Sequence, residues 1–332
     1  METVIEVKDL CKEFKVYHHR KGFVGAFVNL FSRQHQIVRA VDGISFTMRR
    51  GEIVGYIGPN GAGKSTTIKM LTGILVPTSG HLTVNGYVPH RERKENAKRI
   101  GVVFGQRTHL WFDLPVQESF DLLRHIYQIP MKQYEENLER FDHILGLRQF
   151  FQTPVRQLSL GQRMRADIAA ALLHNPDVLF LDEPTIGLDV VAKERIRQFI
   201  RQINAERLVT IILTTHDLDD VEKLCERVIL IDSARILYDG KLAAIRNLLS
   251  SDRLLIVDYA EEYADVELRH AVIAHREKAR VHYRFSLDEI STAELIGEML
   301  ERFKIVDLSV QEPEIEEVVR AIYERKLSLV GD

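Results

Sequence analysis

The stretch GPNGAGKST at residues 58–66 decides the fold class of this chain. Its first eight residues fit the phosphate-binding pattern GxxxxGK[ST]. An apolar run at residues 52–57 precedes it, and a helical pattern begins at Lys64. Strand, glycine-rich loop and helix in this order predict the opening of an α/β unit built around a phosphate-binding loop.

This stretch, called the phosphate loop below, supplies the first candidate binding residues. Glycine has no Cβ, so the backbone can wrap a phosphate chain with several N–H groups pointing inward. Lys64 is placed to reach the β- and γ-phosphates, and the Ser65 hydroxyl to ligate Mg²⁺. The residues predicted to contact ATP here are Gly58, Pro59, Asn60, Gly61, Ala62, Gly63, Lys64, Ser65 and Thr66.

Two adjacent acids follow the apolar run VLFL at residues 178–181. Asp182 is placed to hold Mg²⁺, and Glu183 to polarise the attacking water as the catalytic base. Neighbouring residues at a strand end point in different directions, which separates these two roles. The alternative is that both acids cap the helix that follows.

Four further motifs occur in order: Gln106, LSLGQ at residues 158–162, GLD at residues 187–189, and His216. Together with the phosphate loop and the acid pair, they resemble the ATP-binding-cassette (ABC) superfamily over residues 1 to about 240. The resemblance implies an α/β P-loop NTPase cassette with a parallel-sheet core, an antiparallel β subdomain and a helical subdomain. It also implies an enzyme that hydrolyses ATP to power transport.

By this resemblance each motif has a role. Gln106 would contact Mg²⁺ and the membrane partner, completing a metal set with Ser65 and Asp182. His216 would reach the γ-phosphate as a catalytic residue. The LSLGQ stretch, called the signature loop below, would close over ATP held by a second subunit. The residues that would contact this ATP are Ser159, Gly161 and Gln162 of the signature loop and Asp189 of the GLD stretch, called the D-loop below.

Two positions need separate comment. Phe14 falls where the family places an aromatic side chain that stacks on adenine. The alternative role of Phe14 is core packing, and Tyr17 is a weaker candidate for the stacking role. In the signature loop the usual LSGGQ reads LSLGQ, because Leu160 replaces a glycine. If that glycine serves a positive φ, Leu160 is expected to shift the loop slightly.

Other stretches indicate the partner. Residues 101–115 and 158–176 resemble bacterial cassettes that serve separately encoded ABC-2-type exporter subunits. QEPEIEE at residues 311–317 resembles the EPSLED tail of drug and polysaccharide-precursor exporter cassettes. The implied partners are ABC-2-type membrane permease subunits and a second copy of this chain, with the protein peripheral at the cytoplasmic face of the cell membrane.

Net charge and hydropathy narrow the possible classes of function further. Lys and Arg number 45 against 48 Asp and Glu, for a net charge of −3, so the basic surplus of a nucleic-acid binder is missing. The alternative function is a soluble, non-transport ABC ATPase of the repair or translation type. No uninterrupted apolar stretch approaches the ~20 residues of a membrane-spanning helix, so we expect any membrane role to be played from outside the bilayer.

The 332 residues suggest about two domains. We predict an ABC nucleotide-binding domain at residues 1–245, with its helical subdomain at about 110–175, and a C-terminal accessory domain at 246–332. Three strand patterns (253–259, 279–285, 304–310) and two helical ones (292–303, 314–326) are compatible with a small ferredoxin-like α+β domain. Regulation, dimer support, ligand sensing and a purely structural role all stay open for it.

An amphipathic insertion is predicted at about residues 18–36. Phe23, Phe27, Leu30 and Phe31 would form one apolar stripe on a helix with basic flanks. Such a helix suits a position beneath the membrane subunits or at lipid headgroups. The alternative is that it packs on its own domain.

Overall fold

The computed structural model describes residues 2–17, 35–105, 107–248 and 252–311, with residues 319, 322 and 323. The chain divides into two compact units, one ending at Asp239 and the other beginning at Gly240. The assignment of residues 1–245 and 246–332 to separate domains stays a prediction. Across the described ranges, no helix combines the length and apolarity needed to cross a membrane.

The secondary structure elements are numbered in chain order. The strands are β1 (Thr3–Tyr17), β2 (His35–Arg49), β3 (Ile53–Ile57), β4 (Ser79–Val84), β5 (Ile100–Phe104), β6 (Val178–Asp182), β7 (Thr210–Thr214), β8 (Arg227–Asp232), β9 (Arg235–Lys241), β10 (Asp252–Tyr259), β11 (Ala271–Glu277), β12 (Arg280–Ser286) and β13 (Ile305–Gln311). The helices are α1 (Lys64–Leu71), α2 (Arg93–Ala97), α3 (Val116–Ile126), α4 (Met131–Leu145), α5 (Leu160–Leu172), α6 (Val190–Arg207), α7 (Leu218–Leu224), α8 (Leu242–Leu248) and α9 (Thr292–Arg302).

A six-stranded sheet in the order β5-β6-β7-β3-β8-β9 lies at the centre of the first unit. Strands β5, β6, β7, β3 and β8 run parallel to one another. Most of their residues are apolar and buried, as expected for strands covered on both faces. Parallel strands end at the same edge of a sheet. At that edge the phosphate loop follows β3, Asp182 ends β6 and Thr214 ends β7.

The antiparallel subdomain is a three-stranded sheet in the order β2-β1-β4. The sequence predicts short strands at residues 3–8 and 44–48, whereas β1 and β2 each have 15 residues. Register shifts between Val7 and Glu13 explain the difference, because each irregularity interrupts the alternation of apolar and polar residues. Leu10, Phe46 and Tyr56 belong to one apolar core that joins this sheet to the central one.

Helices α3, α4 and α5 form the helical region that the sequence predicts at about residues 110–175. The ring of Phe141 on α4 lies edge-on to that of Phe199 on α6, with centroids 5.2 Å apart. Asn137 donates a hydrogen bond of 2.8 Å to the carbonyl oxygen of Leu173. These contacts pack α4 against α6 and the end of α5.

The second unit contains a four-stranded antiparallel sheet in the order β11-β12-β10-β13. One face packs on α9, with Tyr283, Leu295 and Met299 fully buried between them. This strand order is the ferredoxin-like order that the sequence suggested. The connection at residues 260–270 contains no helix, so one of the two crossover helices of that fold is replaced by a loop.

Strand β11 is absent from the sequence prediction. Most of its residues are exposed, Val272 to 72%, and only Ala271 and Ile273 are partly buried, so the strand has a short apolar face that gives a weak pattern. The helix predicted at residues 314–326 lies outside the described residues except at three isolated positions.

Candidate functional site

The phosphate loop connects β3 to α1, and its shape depends on glycine. Gly63 has φ +108°, and a Cβ there would lie 2.4 Å from the carbonyl oxygen of Ala40. A Cβ on Gly58 would lie 2.4 Å from the carbonyl oxygen of Ile231. Because both clashes are with backbone atoms, the motif glycines follow from the packing of this loop.

Lys64 is the first residue of α1, and its side chain is almost fully buried. Its ammonium donates hydrogen bonds to the carbonyl oxygens of Gly58 at 2.5 Å and Pro59 at 3.1 Å. Burial lowers the pKa of Lys64, and the nearby charges of Glu183 and Asp182 partly oppose that shift. The loop therefore holds a cation at the amino end of α1, where the helix dipole also favours anions.

The predicted metal residues Ser65 and Asp182 lie together. The Ser65 hydroxyl donates to Asp182 Oδ2 at 3.3 Å, and the Thr214 hydroxyl donates to Oδ1 of the same carboxylate. The two described candidate ligands, the Ser65 hydroxyl and the Asp182 carboxylate, both supply oxygen atoms. Oxygen ligands of this kind fit Mg²⁺ bound jointly by protein and phosphate groups. Gln106, the third predicted metal residue, lies outside the described residues.

Thr214 belongs to this site but is not indicated by the sequence pattern. Its role becomes visible only in the structure, where Thr214 ends β7 directly opposite Asp182 in the parallel register. The hydrogen bond from Thr214 fixes the carboxylate that is expected to hold the metal.

The catalytic candidates Glu183 and His216 are in contact. Glu183 Oε2 lies 3.2 Å from His216 Nε2, and both side chains are partly accessible. Glu183 has φ +57°, an uncommon conformation for a residue with a side chain, and its amide donates to the carbonyl oxygen of Thr214 at 2.8 Å. A carboxylate that can accept a proton and an imidazole that can bond a phosphate oxygen thus lie side by side near Lys64.

The signature loop begins helix α5. Ser159 caps the helix, because its hydroxyl accepts from the Gln162 amide while the Gln162 side chain accepts from the Ser159 amide. Leu160 is the first residue of α5 and has no positive φ. The condition on which a shift of the loop was expected is therefore not met, because Leu160 has a helical conformation that does not require glycine.

The D-loop lies against the signature loop. Asp189 caps α6 by accepting from the Ala192 amide at 2.8 Å. Gly187 has φ +71°, and a Cβ on it would lie 3.1 Å from Leu160 Cδ2. A surface pocket between the two loops is lined by Ser159, Leu160, Gly161, Gln162, Arg165, Gly187, Leu188, Asp189, Val191, Ala192 and Arg195.

The predicted ATP contacts therefore fall into two groups. Among the described residues, no hydrogen bond joins Ser159, Gln162 or Asp189 to the phosphate loop. One group comprises the phosphate loop with Asp182, Glu183 and His216, and the other lines the pocket at the signature loop. Each group is a partial site.

Phe14 lies on β1, opposite Val38 of β2, and its side chain is 38% exposed. The ammonium of Lys12 lies 5.1 Å from its ring centroid. This exposure argues against the core-packing alternative and leaves a ring face available for stacking. The amphipathic insertion predicted at residues 18–36 lies outside the described residues apart from its last two positions.

Comparisons with known proteins agree with this geometry. Residues 41–186 match the family model described as ABC transporter. The chain is 34% identical to the ABC transporter ATP-binding protein NatA of Bacillus subtilis over 229 residues, which are 69% of this chain and 92% of NatA. It is 32% identical to the linearmycin resistance ATP-binding protein LnrL of the same organism over 286 residues, 83% and 91% of the two chains. It is also 36% identical to the probable multidrug ABC transporter ATP-binding protein YbhF of Escherichia coli over 245 residues, 73% and 37% of the two chains.

Solved structures give the same result. An ATP-binding subunit of an ABC transporter superposes with a TM-score of 0.61 at 26% identity, covering 74% of this chain and 92% of that one. A dimeric, post-hydrolysis ATP-binding cassette with bound ADP and phosphate superposes with a TM-score of 0.59 at 26% identity, covering 72% and 98%. The predicted cassette fold is confirmed, and the relatives favour a transporter subunit over the repair or translation alternative.

Proposed function

The chain belongs to the ATP-binding subunits of ABC transporters, ATPases that power transport, and from this premise we propose that it drives an ABC-2-type exporter as a head-to-tail homodimer. The names of LnrL and YbhF refer to resistance and multidrug transport, which supports export as the direction. The exported compound is set by the membrane subunits, which contain the translocation path.

One observation carries the homodimer. The phosphate loop and the signature loop of one chain are two partial sites with no hydrogen bond between them among the described residues. In a head-to-tail pair, Ser159 of one chain would complete the site around Lys64 of the other. The dimeric relative bound to ADP and phosphate supports this arrangement.

The residues of the composite site divide the work of hydrolysis. Lys64 and the loop amides neutralise and orient the phosphates. Glu183 takes the proton of the attacking water, while His216 holds Glu183 and bonds the γ-phosphate oxygen. Ser65 and Asp182 would hold Mg²⁺, which supplies further charge neutralisation when bound.

Exposed apolar side chains support a permease partner. Trp111 and Phe112 follow the Gln106 segment and are 39% and 54% exposed. Trp111 donates its amide to Ser119 on α3, the helix that also exposes Leu122 and Ile126. Large exposed apolar groups mark interaction sites, and we assign these to the ABC-2-type permease subunits at the cytoplasmic face of the membrane. Docking of the insertion at residues 18–36 stays a separate prediction.

The Glu183→Gln variant tests the dimer. It should bind ATP, lose turnover and run as a dimer on gel filtration with ATP and Mg²⁺, because the phosphate loop is intact and the base is lost. Glu206→Gln is the matched control, since Glu206 pairs with Arg140 at the exposed end of α6. Substantial hydrolysis by Glu183→Gln, with no dimer, would overturn the proposal.

A second experiment tests the partner surface. Trp111→Ala with Phe112→Ala should reduce binding to membranes that contain ABC-2-type permease subunits with which the wild-type protein associates, and should spare the ATPase activity of the isolated protein. Leu208→Ala, at another exposed apolar position, is the control. Unchanged membrane binding would remove this surface from the docking site.

A further inference from the structure

The buried carboxylate of Asp220 joins three segments of the chain, two of which carry the catalytic candidates Glu183 and His216. Asp220, on α7, is fully buried. It accepts hydrogen bonds from the hydroxyl of Thr185, two residues after Glu183, and from that of Thr215, one residue before His216, the latter at 3.4 Å. Its other oxygen accepts from Arg197 Nε at 2.6 Å. Asp220 therefore connects two segments to helix α6: the turn that begins at Glu183, and the loop at residues 215–217 that carries His216, called the histidine loop below.

Arg197 is held as firmly as its partner. Its side chain is 2% exposed, and a second guanidinium nitrogen lies 2.9 Å from Asp219 Oδ2. Removing either member of a buried ion pair leaves an uncompensated charge, so such a pair fixes the elements that carry it.

A second ion pair joins the same two helices closer to the reaction. Lys193 lies one turn past Asp189 on α6, and its ammonium contacts Asp217 Oδ2. Asp217 follows His216 directly and caps α7 by accepting from the Asp219 amide at 3.2 Å. Both side chains are about a quarter exposed. The link therefore runs from the first turn after the D-loop to the residue beside the catalytic histidine.

We propose that Lys193 and Arg197 are positioning residues for hydrolysis. They lie four residues apart, hence on one face of α6, and that face holds the acids of the histidine loop and α7. Because Asp189 begins the same helix, a shift of the D-loop carries His216 with it. This proposal rests on the dimer described above, in which the D-loop lies at the interface.

Lys193→Met removes the link at Asp217 and leaves the phosphate loop untouched. His216 then loses part of the support that keeps it 3.2 Å from Glu183. Misplacement of catalytic groups lowers kcat, so we expect a fall of about tenfold, with the KM for ATP and the melting temperature close to those of wild type. Lys193→Arg, which keeps the charge, should recover most of the lost kcat.

The matched control is Lys223→Met. Lys223 makes an exposed ion pair with Asp219 at 3.0 Å on α7, so this change removes the same charge from the same region without touching Asp217. Its kcat should stay near the wild-type value. If Lys193→Met does not fold, Lys193→Gln provides the same comparison.

Steady-state ATPase assays on the full chain decide the matter. Equal kcat values for Lys193→Met and Lys223→Met would overturn the proposal, as would a rise in KM with unchanged kcat or a failure of Lys193→Arg to restore kcat. Gel filtration of Glu183→Gln reports the dimer separately. A missing dimer there contradicts the proposed function, while the kcat comparison still tests the positioning role.

Discussion

Replacing Asp167 by Asn should stabilise the protein in a manner that depends on pH. Asp167 lies on α5 and is 4% exposed. Within the described residues its two hydrogen bonds reach one oxygen: Oδ1 accepts from the Thr108 hydroxyl at 2.7 Å and from the His109 amide at 3.1 Å. The amide oxygen of Asn can accept both bonds, so the substitution removes the charge and keeps the contacts.

The magnitude follows from the pKa of Asp167, which burial raises from 3.8 to about 6 while the Thr108 hydrogen bond opposes the shift. A shift of about 2 units corresponds to about 3 kcal/mol between the two protonation states. Because the pKa is raised in the folded state, the carboxylate destabilises the fold. This cost is absent below the unfolded pKa, grows as the pH rises, and is complete above about pH 6.

The observable is the difference in unfolding free energy between Asp167→Asn and wild type, measured by urea titration from about pH 4 to about pH 7. It should rise by about 2 kcal/mol in favour of the variant over this interval, because part of the total of about 3 kcal/mol is already present at about pH 4. The new amide NH₂ group in place of Oδ2 adds a contribution that does not vary with pH. Asp113→Asn, at an exposed ion pair with Arg156, should show a flat difference. A flat or falling difference for Asp167→Asn would refute the reasoning.

Two further predictions concern the binding surfaces. Phe14→Ala should weaken ATP binding about tenfold with little change in kcat, because base–aromatic stacking contributes about 1–3 kcal/mol; an unchanged Kd in a fluorescent-nucleotide titration would exclude stacking. Gly187→Ala should lower ATPase activity less in a Leu160→Ala background than in wild type, because the new Cβ would lie 3.1 Å from Leu160 Cδ2. The backbone strain at φ +71° is the same in the two backgrounds, so the difference reports the side-chain contact. Equal losses in the two backgrounds would show that the D-loop and Leu160 are not coupled.

The parts that sequence predicts best are those whose physical requirements are local. The phosphate loop is one in its sequence pattern, because its glycines and Lys64 lie within seven consecutive residues. The backbone atoms that exclude a Cβ at Gly58 and Gly63 belong to the distant residues Ile231 and Ala40. The acid pair is another, because a short buried strand places Asp182 and Glu183 at its end. The signature loop is a third example, because Ser159 and Gln162 cap the start of helix α5 reciprocally and lie three residues apart.

The parts that sequence misses depend on contacts between distant segments. Lys193 and Asp217 are ordinary charged residues in the sequence, and only the packing of α6 against α7 pairs them. Thr214 gains its importance from its register with Asp182 on the next strand. The positive φ of Glu183 has no signal in its residue type, and β11 has only two partly buried apolar residues to give it a pattern.

The central claim is that each catalytic site combines the phosphate loop of one chain with the signature loop of another. A mixture of two inactive variants tests it directly. Lys64→Ala removes the phosphate-loop cation and Ser159→Arg blocks the signature loop, so a mixed dimer contains one site with both lesions and one intact site. ATPase activity in the mixture, when each variant alone has none, is the result we predict. A mixture as inactive as its two components would contradict a site shared between two chains.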